Sequence, residues 1–253
     1  MTNTVIMEDI RNALPFRDLT SYEIRQMHTK FDYLDDDSFV KDLKKPCSAE
    51  VVDDIGFRYC TESDFNDTHR CVKKPLDLSI FHMNIRSLNA NQRGLIQVLC
   101  NLDLKFDIIV LSETGCTNIN FYQNIFRGYT LFFDLPINTD VGGVGVFVNY
   151  DISAKLLPEY SLNNTGMIHL EILWLELVKN KRHYVLGGIY RHPNKSITDF
   201  GTTLNTTLEK IATKNISCII TGDINIDLLK YDCHCPTFDY VNDLLAKDFF
   251  PTI

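Results

Sequence analysis

Residues 218–227, CIITGDINID, are the most informative stretch of this chain, because an apolar run ends there in Gly222 and polar residues follow. Asp223 and Asn225 are two residues apart, so on an extended backbone their carboxylate and carboxamide emerge on the same side. In open α/β sheets, ligands bind beyond the carboxyl ends of strands. Asp and Asn after a strand are also ordinary turn formers. The stretch alone therefore leaves two interpretations open, a turn and part of a functional site.

The length and composition are typical of a globular protein. The chain has 253 residues, of which 45% are hydrophobic, enough for one large α/β domain with or without an appendage. Its net charge is −8, with 33 acidic and 25 basic residues, so no global basic field indicates binding to nucleic acid or to an anionic membrane. Any DNA binding must be local, for example through a divalent cation held by acidic side chains.

The sequence contains neither a basic, apolar leader nor an apolar run of membrane-spanning length. We therefore expect a soluble, intracellular protein without a membrane partner. The eight cysteines form no CxxC pair, and we expect them to be reduced. Cys233, His234 and Cys235 permit a zinc interpretation, but no second ligand pair follows at the spacing of a zinc finger, so an ordinary loop is favoured.

Residues 1–75 differ from the rest of the chain. They are rich in charge, include the acidic run at 35–37, and show little strand-like apolar content, although a short helix at 20–30 is compatible with the pattern. We interpret them as an accessory or partly disordered lead-in that ends near Pro75. Residues 76–253 are then the main domain.

After Pro75 the pattern alternates between strands and helices. The apolar runs predict strands at 78–83, 107–111, 129–133, 144–149, 168–178, 183–190 and 216–221. Helical spacing predicts helices at 92–102, from a capping box at Ser196 onward, and at about 236–247. The glycines at 142, 143 and 145 fit a close-packed strand better than a phosphate loop, because no GK[ST] follows them. The chain is thus expected to be an α/β protein.

Polar side chains recur at the ends of these strands, which suggests one shared site at the rim of a sheet. Mg2+ takes oxygen ligands and often only one or two carboxylates, so a single glutamate can anchor it. An aspartate could orient and deprotonate an attacking water, while neutral donors fix phosphate oxygens where charge develops. The residues are Asn84, Glu113, Tyr190, Asp223 and Asn225.

At these residues the sequence resembles the endonuclease/exonuclease/phosphatase superfamily, which includes DNase I and the apurinic repair endonucleases. The resemblance covers about residues 76–253, and within the superfamily it is greatest to the endonuclease domain that precedes the reverse transcriptase in non-LTR retrotransposons. The matching motifs follow the order of the family: HMNIRSLN at 82–89, IIVLSET at 108–114, GGVGVFV at 142–148, GGIYRHPN at 187–194 and TGDINID at 221–227.

The resemblance implies a two-sheet α/β sandwich of the DNase I type and a DNA endonuclease that uses Mg2+, with Mn2+ as an alternative. It implies that Glu113 binds the metal and that Asn84 helps to organise metal and phosphate. It further implies that Tyr190 contacts phosphate, that Asp223 aligns or activates the nucleophile, and that Asn225 supports it. DNA is the implied partner, nicked to leave a 3′ hydroxyl, and a nuclear location is compatible with this.

The sequence departs from the family pattern at several positions. Ile224 replaces a usual Phe, and Gly115 and Cys116 follow SET where an aromatic residue is common. A Ser-Asp-His motif is expected beyond Ile253, so we expect the domain to be C-terminally incomplete, with an exposed sheet edge and impaired activity. Three earlier histidines are interpreted as structural or solvated and not as replacements: His82, His192 and His234.

Two other functions remain open. One is another branch of the superfamily, a phosphatase or a sphingomyelinase-like phosphodiesterase, although no clear membrane-contacting apolar loop is present. The other is a non-catalytic relic or binding module that keeps the sheets and has lost turnover.

Overall fold

The computed structural model describes residues 60–71, 78–116, 118–134, 142–160 and 170–249, in which the apolar runs of the sequence form seven strands and a short polar segment forms an eighth. The predicted helix at 20–30 and the boundary near residue 75 lie outside these residues. The strands are β1 (Ile80–Asn84), β2 (Ile108–Ser112), β3 (Tyr129–Asp134), β4 (Val144–Asn149), β5 (Ser153–Leu156), β6 (Leu170–Lys179), β7 (Arg182–Arg191) and β8 (Ser217–Asp223).

The strands form two four-stranded mixed sheets, with the orders β1-β2-β4-β3 and β5-β6-β7-β8. In the first sheet β1 and β2 are parallel and β4 is antiparallel to both of its neighbours. In the second sheet β7 and β8 are parallel, while β5, β6 and β7 alternate in direction. Each sheet thus contributes one parallel pair, and these two pairs position the site described below.

The two sheets pack face to face through one apolar layer, and helices cover the outer face of each sheet. Val110 and Val146 of the first sheet meet Leu175 and Leu186 of the second in the central layer. This arrangement is the two-sheet α/β sandwich that the resemblance implied. Buried aliphatic side chains dominate the interface because both faces of each sheet are covered.

In the described parts of the chain, four α-helices cover the outer faces: α1 (Glu62–Cys71), α2 (Leu88–Asn101), α3 (Ile197–Ala212) and α4 (Cys235–Leu245). Helices α1 and α2 pack on the first sheet, and α3 and α4 on the second. Ser196 caps α3, since its Oγ accepts the N–H of Asp199, as the predicted capping box requires. None of the helices in the described parts of the chain combines the length and apolar character that a bilayer span requires.

Helix α1 joins the domain although it precedes residue 75. Phe65 is buried in the outer core and its ring stacks on that of Phe106. The amide of Asn66 donates to the carbonyl of Asn101 at 2.8 Å, and its oxygen accepts the N–H of Asp103. This part of the lead-in therefore belongs to the packed structure.

Three elements differ from the sequence prediction, and the first is helix α1 (Glu62–Cys71), where no helix was predicted. Strand β5 was not predicted, because SAKL has neither an apolar run nor a clear alternation, and it lies at the edge of its sheet with mostly exposed side chains. Helix α2 begins at Leu88 and not at 92, because Ser87 caps it by accepting the N–H of Ala90. Serine and asparagine side chains compete with the backbone for hydrogen bonds, so the sequence of this first turn carries only a weak helical signal.

Candidate functional site

Four strands direct their last residues to one edge of the sandwich. Strands β1 and β2 end at Asn84 and just before Glu113, and β7 and β8 end close to Tyr190 and at Asp223. Tyr190 and Asp223 are register partners in the second sheet, as Asn84 and Ser112 are in the first. All five residues selected from the sequence lie at this edge, which we call the site end.

Asn84 connects the two sheets at the centre of the site end. Its Nδ2 donates to Oε1 of Glu113 at 2.9 Å and to Oδ2 of Asp223 at 2.6 Å. Its Oδ1 accepts the backbone N–H of Arg86 at 3.3 Å. One amide thus brings together a carboxylate from each sheet, and charge-assisted hydrogen bonds of this type are the stronger ones.

Glu113 has a left-handed backbone, with a φ of 53°, which is uncommon for a residue other than glycine. Its carbonyl accepts the N–H of Ser87 at 2.7 Å, and the N–H of Leu88 donates to Thr114 at 2.7 Å. These bonds continue the pairing of β1 and β2 beyond the regular strands. The backbone around Glu113 is therefore held in this conformation by its neighbours, as strained residues at functional sites commonly are.

Asp223 is fixed through both carboxylate oxygens. Oδ2 accepts from Asn84, and Oδ1 accepts the backbone N–H of Asn225 at 3.0 Å, which makes the turn that the residue types allowed. Asn225 also has a left-handed backbone, with a φ of 50°, and its Nδ2 donates to the carbonyl of Arg191 at 2.8 Å. The turn and the functional-site interpretations of this stretch are thus compatible, because the turn orients the carboxylate.

Gly222 precedes Asp223 with a φ of 146°. A Cβ at this position would lie 1.9 Å from the carbonyl oxygen of Ile189 on the neighbouring strand. No side chain can be accommodated at that distance, so the approach of β8 to β7 requires glycine. The glycine of the motif therefore positions Asp223 against Tyr190.

Tyr190 is 1% exposed, and its hydroxyl hydrogen bonds to the side chain of Glu113. Burial raises the pKa of Tyr190, and the negative charges of Glu113, Asp223 and Glu171 raise it further. The phenol is therefore neutral and acts as a donor to Glu113. The phosphate contact that the resemblance implied for this residue stays a prediction.

Glu171 and His192 extend the site behind Tyr190. Glu171 is 0% exposed, pairs with Tyr190 across β6 and β7, and accepts the N–H of Gly143. His192 places Nε2 at 3.3 Å from Oε1 of Glu171, and its ring lies edge-on to that of Tyr190, with centroids 4.8 Å apart. Glu171 was not among the residues predicted from the sequence. A charged residue inside the apolar run LEILWLEL was the signal that could have found it.

The other two histidines have structural partners. His82 is buried within β1, with Nε2 at 3.1 Å from the hydroxyl of Ser112. His234 precedes α4, and its Nδ1 lies 2.9 Å from the hydroxyl of Thr237. Cys233 and Cys235 beside it are exposed free cysteines.

The donor set at the site end suits a hard divalent cation. Within the described ranges, no group of three or more His, Cys, Asp or Glu side chains could hold a metal ion. Mg2+ does not require such a cage, since one or two carboxylates with water and substrate phosphate complete its shell. Glu113, Asp223 and the amide oxygen of Asn84 offer oxygen ligands of this kind, and the hydrogen bonds of Asn84 keep both carboxylates within reach of one another.

Comparisons with known proteins agree with this geometry. The model of the Endonuclease/Exonuclease/phosphatase family matches residues 81–240, well over half of the chain. The endonuclease domain of TRAS1, a telomere-specific non-LTR retrotransposon, has 17% sequence identity and a TM-score of 0.51, covering 66% of this chain and 71% of that one. Its likeness supports the fold.

Other solved structures are also similar. An AP endonuclease from Archaeoglobus fulgidus has 18% identity and a TM-score of 0.47, covering 66% of this chain and 69% of its own. The 3′ phosphatase NExo from Neisseria, bound to a product DNA hairpin, has 16% identity and a TM-score of 0.47, with 66% and 70% covered. Among curated proteins, none matches this sequence.

Proposed function

The chain belongs to the endonuclease/exonuclease/phosphatase family, and from that premise we propose that it is a divalent-metal-dependent phosphodiesterase that nicks DNA. The observation that supports this best is the single amide of Asn84 that holds one carboxylate from each sheet. Two carboxylates bonded to the same donor concentrate negative charge at one point. A phosphodiester, itself an anion, can approach that point only with a cation between them.

Glu113 and the amide oxygen of Asn84 would hold the cation, which we take to be Mg2+ or Mn2+. When bound, it would stabilise the charge that develops on the phosphoryl oxygens during displacement. Tyr190 contributes by donating its hydroxyl to Glu113, which fixes the direction of that carboxylate. A hydrogen bond of this kind to a metal-binding carboxylate keeps the carboxylate oriented before the substrate binds.

Asp223 would align the attacking water and accept its proton. The oxygen of that water would form a bond to phosphorus as the bond to the 3′ oxygen breaks, and the departing 3′ alkoxide would take a proton from solvent to become a 3′ hydroxyl. Asn225 supports this step because its N–H holds Oδ1 of Asp223, so the carboxylate cannot rotate freely. A fixed geometry of this kind contributes much of the rate in phosphoryl transfer.

DNA is the proposed substrate although the net charge of the chain is −8. Support comes from the motifs that resemble non-LTR retrotransposon endonucleases and from the fold shared with the TRAS1 endonuclease domain. On this chain, Arg86 is exposed and bonded through its backbone to Asn84, so its guanidinium is a local cation beside the site. Action on chromosomal DNA would place the protein in the nucleus.

A plasmid-nicking assay tests this proposal. Supercoiled plasmid is incubated with the wild-type chain in Mg2+, in Mn2+ and in EDTA, and with two site variants, Asp223→Ala and Glu113→Gln. We expect metal-dependent open circles with ligatable 3′ hydroxyl ends, and a loss of at least about 100-fold in each variant. Asp151→Ala is the matched control, because Asp151 is an exposed carboxylate after β4, at the other end of the sandwich.

Each other result of this assay supports an alternative. Nicking that Asp223→Ala retains would exclude the proposed role of that residue. Hydrolysis of a phospholipid or an inositol phosphate in place of DNA would indicate another branch of the superfamily. Nicking only by a chain extended through the downstream coding sequence would support the expected need for a Ser-Asp-His motif, and no hydrolysis by either chain would favour a non-catalytic relic.

A further inference from the structure

Arg191 ends β7, directly after Tyr190, and is almost completely buried, with an exposed fraction of 2%. An arginine side chain is rarely buried to this extent, because its charge must leave water. Burial accordingly lowers the pKa of Arg191, while the negative charge of Asp223 raises it. A residue held at this cost requires a structural or functional reason.

The guanidinium of Arg191 connects two loops of the site end. Nε donates to the carbonyl of Ile224 at 2.5 Å, and Nη2 donates to that of Asn225. Nη1 donates to the carbonyls of Lys195 at 2.6 Å and His192 at 3.2 Å. The first pair of carbonyls follows β8, and the second pair follows β7. We call this set of four hydrogen bonds the arginine clamp.

The clamp is reciprocal at Asn225. The carbonyl of Asn225 accepts from the side chain of Arg191, and the side chain of Asn225 donates to the carbonyl of Arg191 at 2.8 Å. The same residue has a φ of 50° and presents its N–H to Oδ1 of Asp223. An asparagine tolerates this backbone conformation, but the bonds on both sides of it select it over the alternatives.

We infer that Arg191 is a positioning residue, which acts through the main chain of residues 224 and 225 to set the direction of the Asp223 carboxylate. This inference rests on the proposed function, since it assigns a role in the same site. Four of the donor N–H groups of the guanidinium are directed to protein carbonyls, so it has little capacity left for a phosphate. Arg191 is therefore distinct from an arginine that binds substrate.

Two substitutions separate geometry from charge. Arg191→Lys keeps a positive charge but loses the planar fork, and Arg191→Met keeps much of the volume and loses both. If the fork matters, lysine does not rescue activity. Arg182→Lys is the matched control, because Arg182 begins the same strand, is exposed, and lies at the opposite end from the site.

The first measurement is the steady-state kinetics of nicking. We expect kcat to fall about 100-fold in both Arg191 variants, because a displacement of about 1 Å in a catalytic group has an effect of this size. We expect KM to stay within about three-fold, because substrate does not touch Arg191. Arg182→Lys should match wild type in both constants. Wild-type kcat in Arg191→Lys, or a change confined to KM, would overturn the inference.

The second measurement is amide hydrogen exchange, which does not depend on activity. We expect faster exchange at residues 223–226 and 192–196 in Arg191→Lys and unchanged exchange in β1 to β4. Faster exchange throughout the domain would overturn a local role and indicate general stabilisation. If the wild-type chain nicks nothing, the proposed function fails, and local loosening at 223–226 still decides whether Arg191 positions Asp223.

The third measurement uses the wild-type protein, in case the variants do not fold. Nitrogen-detected NMR of the arginine side chains reports rotation about the Cζ–Nε bond. The clamp predicts slow rotation and separate Nη signals for Arg191, and fast rotation for the exposed Arg93. Fast rotation at Arg191 would show that the four bonds do not persist and would overturn the inference.

Discussion

Polar contacts join the two sheets at both ends of the sandwich, but the two ends differ in how the charges of these contacts are balanced. At the site end the carboxylates of Glu113 and Asp223 share the amide of Asn84. At the other end the carboxylate of Asp107, just before β2, accepts the N–H and hydroxyl of Ser79 and the ammonium of Lys179 at 2.8 Å. Lys179 ends β6 in the second sheet, so this ion pair also crosses between the sheets.

The difference lies in where the charge is neutralised. Lys179 and Asp107 are largely buried and compensate one another within the protein. At the site end Glu113, Glu171 and Asp223 all raise the pKa of Tyr190, which shows that their fields overlap. Left-handed backbone occurs at both ends, at Glu113 beside the site and at Asn180 and Lys181 after β6, so it does not distinguish them. The other end balances its charge internally, whereas the site end holds negative charge that a bound cation would relieve.

The largest loss of stability is expected at the site end, from Gly222→Ala. Its Cβ would overlap the carbonyl of Ile189, and its φ of 146° is unfavourable for any L-residue. We expect a loss of about 4 kcal/mol in the free energy of unfolding, measured by urea titration. Gly201→Ala is the control: in α3 its Cβ would lie 3.8 Å from the ring of Tyr240, so it should be neutral or stabilising. Equal effects of the two substitutions would contradict the assignment of Gly222 as a strained position.

The next effect is expected at the opposite end, from Asp107→Asn. Removing this carboxylate breaks its ion pair with Lys179 in a mostly buried position, which should cost about 2 kcal/mol of stability. Nicking by the folded variant should stay within about two-fold of wild type. Asp103→Asn removes an ion pair with Arg70 at the surface, so its effect should stay below about 0.5 kcal/mol. If both variants lose the same stability, the Asp107 pair is no more than a surface contact.

Much of the site end could be predicted from the sequence, because polar residues follow the apolar runs where strands end. Asn84, Glu113 and Asp223 were selected on that basis, and the structure brings them into hydrogen-bond contact. The sequence also predicts three of the four helices and seven of the eight strands in the described residues, since burial against a core imposes periodicity. The division into two sheets came only from the family resemblance, because pairing between distant strands leaves no local signal.

The site residues that the sequence did not predict are charged residues that the fold buries. Arg191 and Glu171 are charged residues that are usually exposed, and only the fold shows that both are enclosed behind Tyr190. Their partners are mainly backbone atoms of distant loops, which no side-chain pattern reveals. The proton-binding behaviour of the site end is likewise a property of the assembled structure.

A smaller effect is expected from Asp134, the last residue of β3, as a function of pH. Burial raises the pKa of Asp134 to about 6, and the charge of Glu171 adds to this. The folded protein then binds this proton more tightly than the unfolded chain, so the stability contribution is full below the unfolded pKa of about 3.8 and is lost as pH rises through about 6. Asp134→Asn should therefore be more stable than wild type at pH 7.5, by about 1 kcal/mol after allowance for solvent screening.

The measurement for Asp134 is urea unfolding of both proteins at pH 7.5 and pH 4.5. The advantage of Asp134→Asn should shrink toward zero at the lower pH, because the wild-type carboxyl is then protonated in the folded state. An advantage that is equal at both pH values would show that the substitution acts through packing and not through charge. Asp151→Asn, at an exposed position, controls for general effects of the substitution.

The smallest effect, and the one that contrasts the two ends most directly, is expected from Asp223→Asn. The same chemical change that destabilises the protein at Asp107 should stabilise it here by about 0.5 kcal/mol. Removing one of the two carboxylates bonded to Asn84 relieves their repulsion, and this outweighs the lost attraction between Asp223 and the guanidinium of Arg191. Mg2+ should reverse the order: at about ten times its dissociation constant it stabilises wild type by about 1.4 kcal/mol, and we expect it to stabilise the variant by less than about 0.9 kcal/mol. Thermal unfolding with and without MgCl2 measures both signs. If Asp223→Asn instead loses as much stability as Asp107→Asn, and Mg2+ does not change this loss, the carboxylates stabilise the site end and their mutual repulsion does not destabilise it.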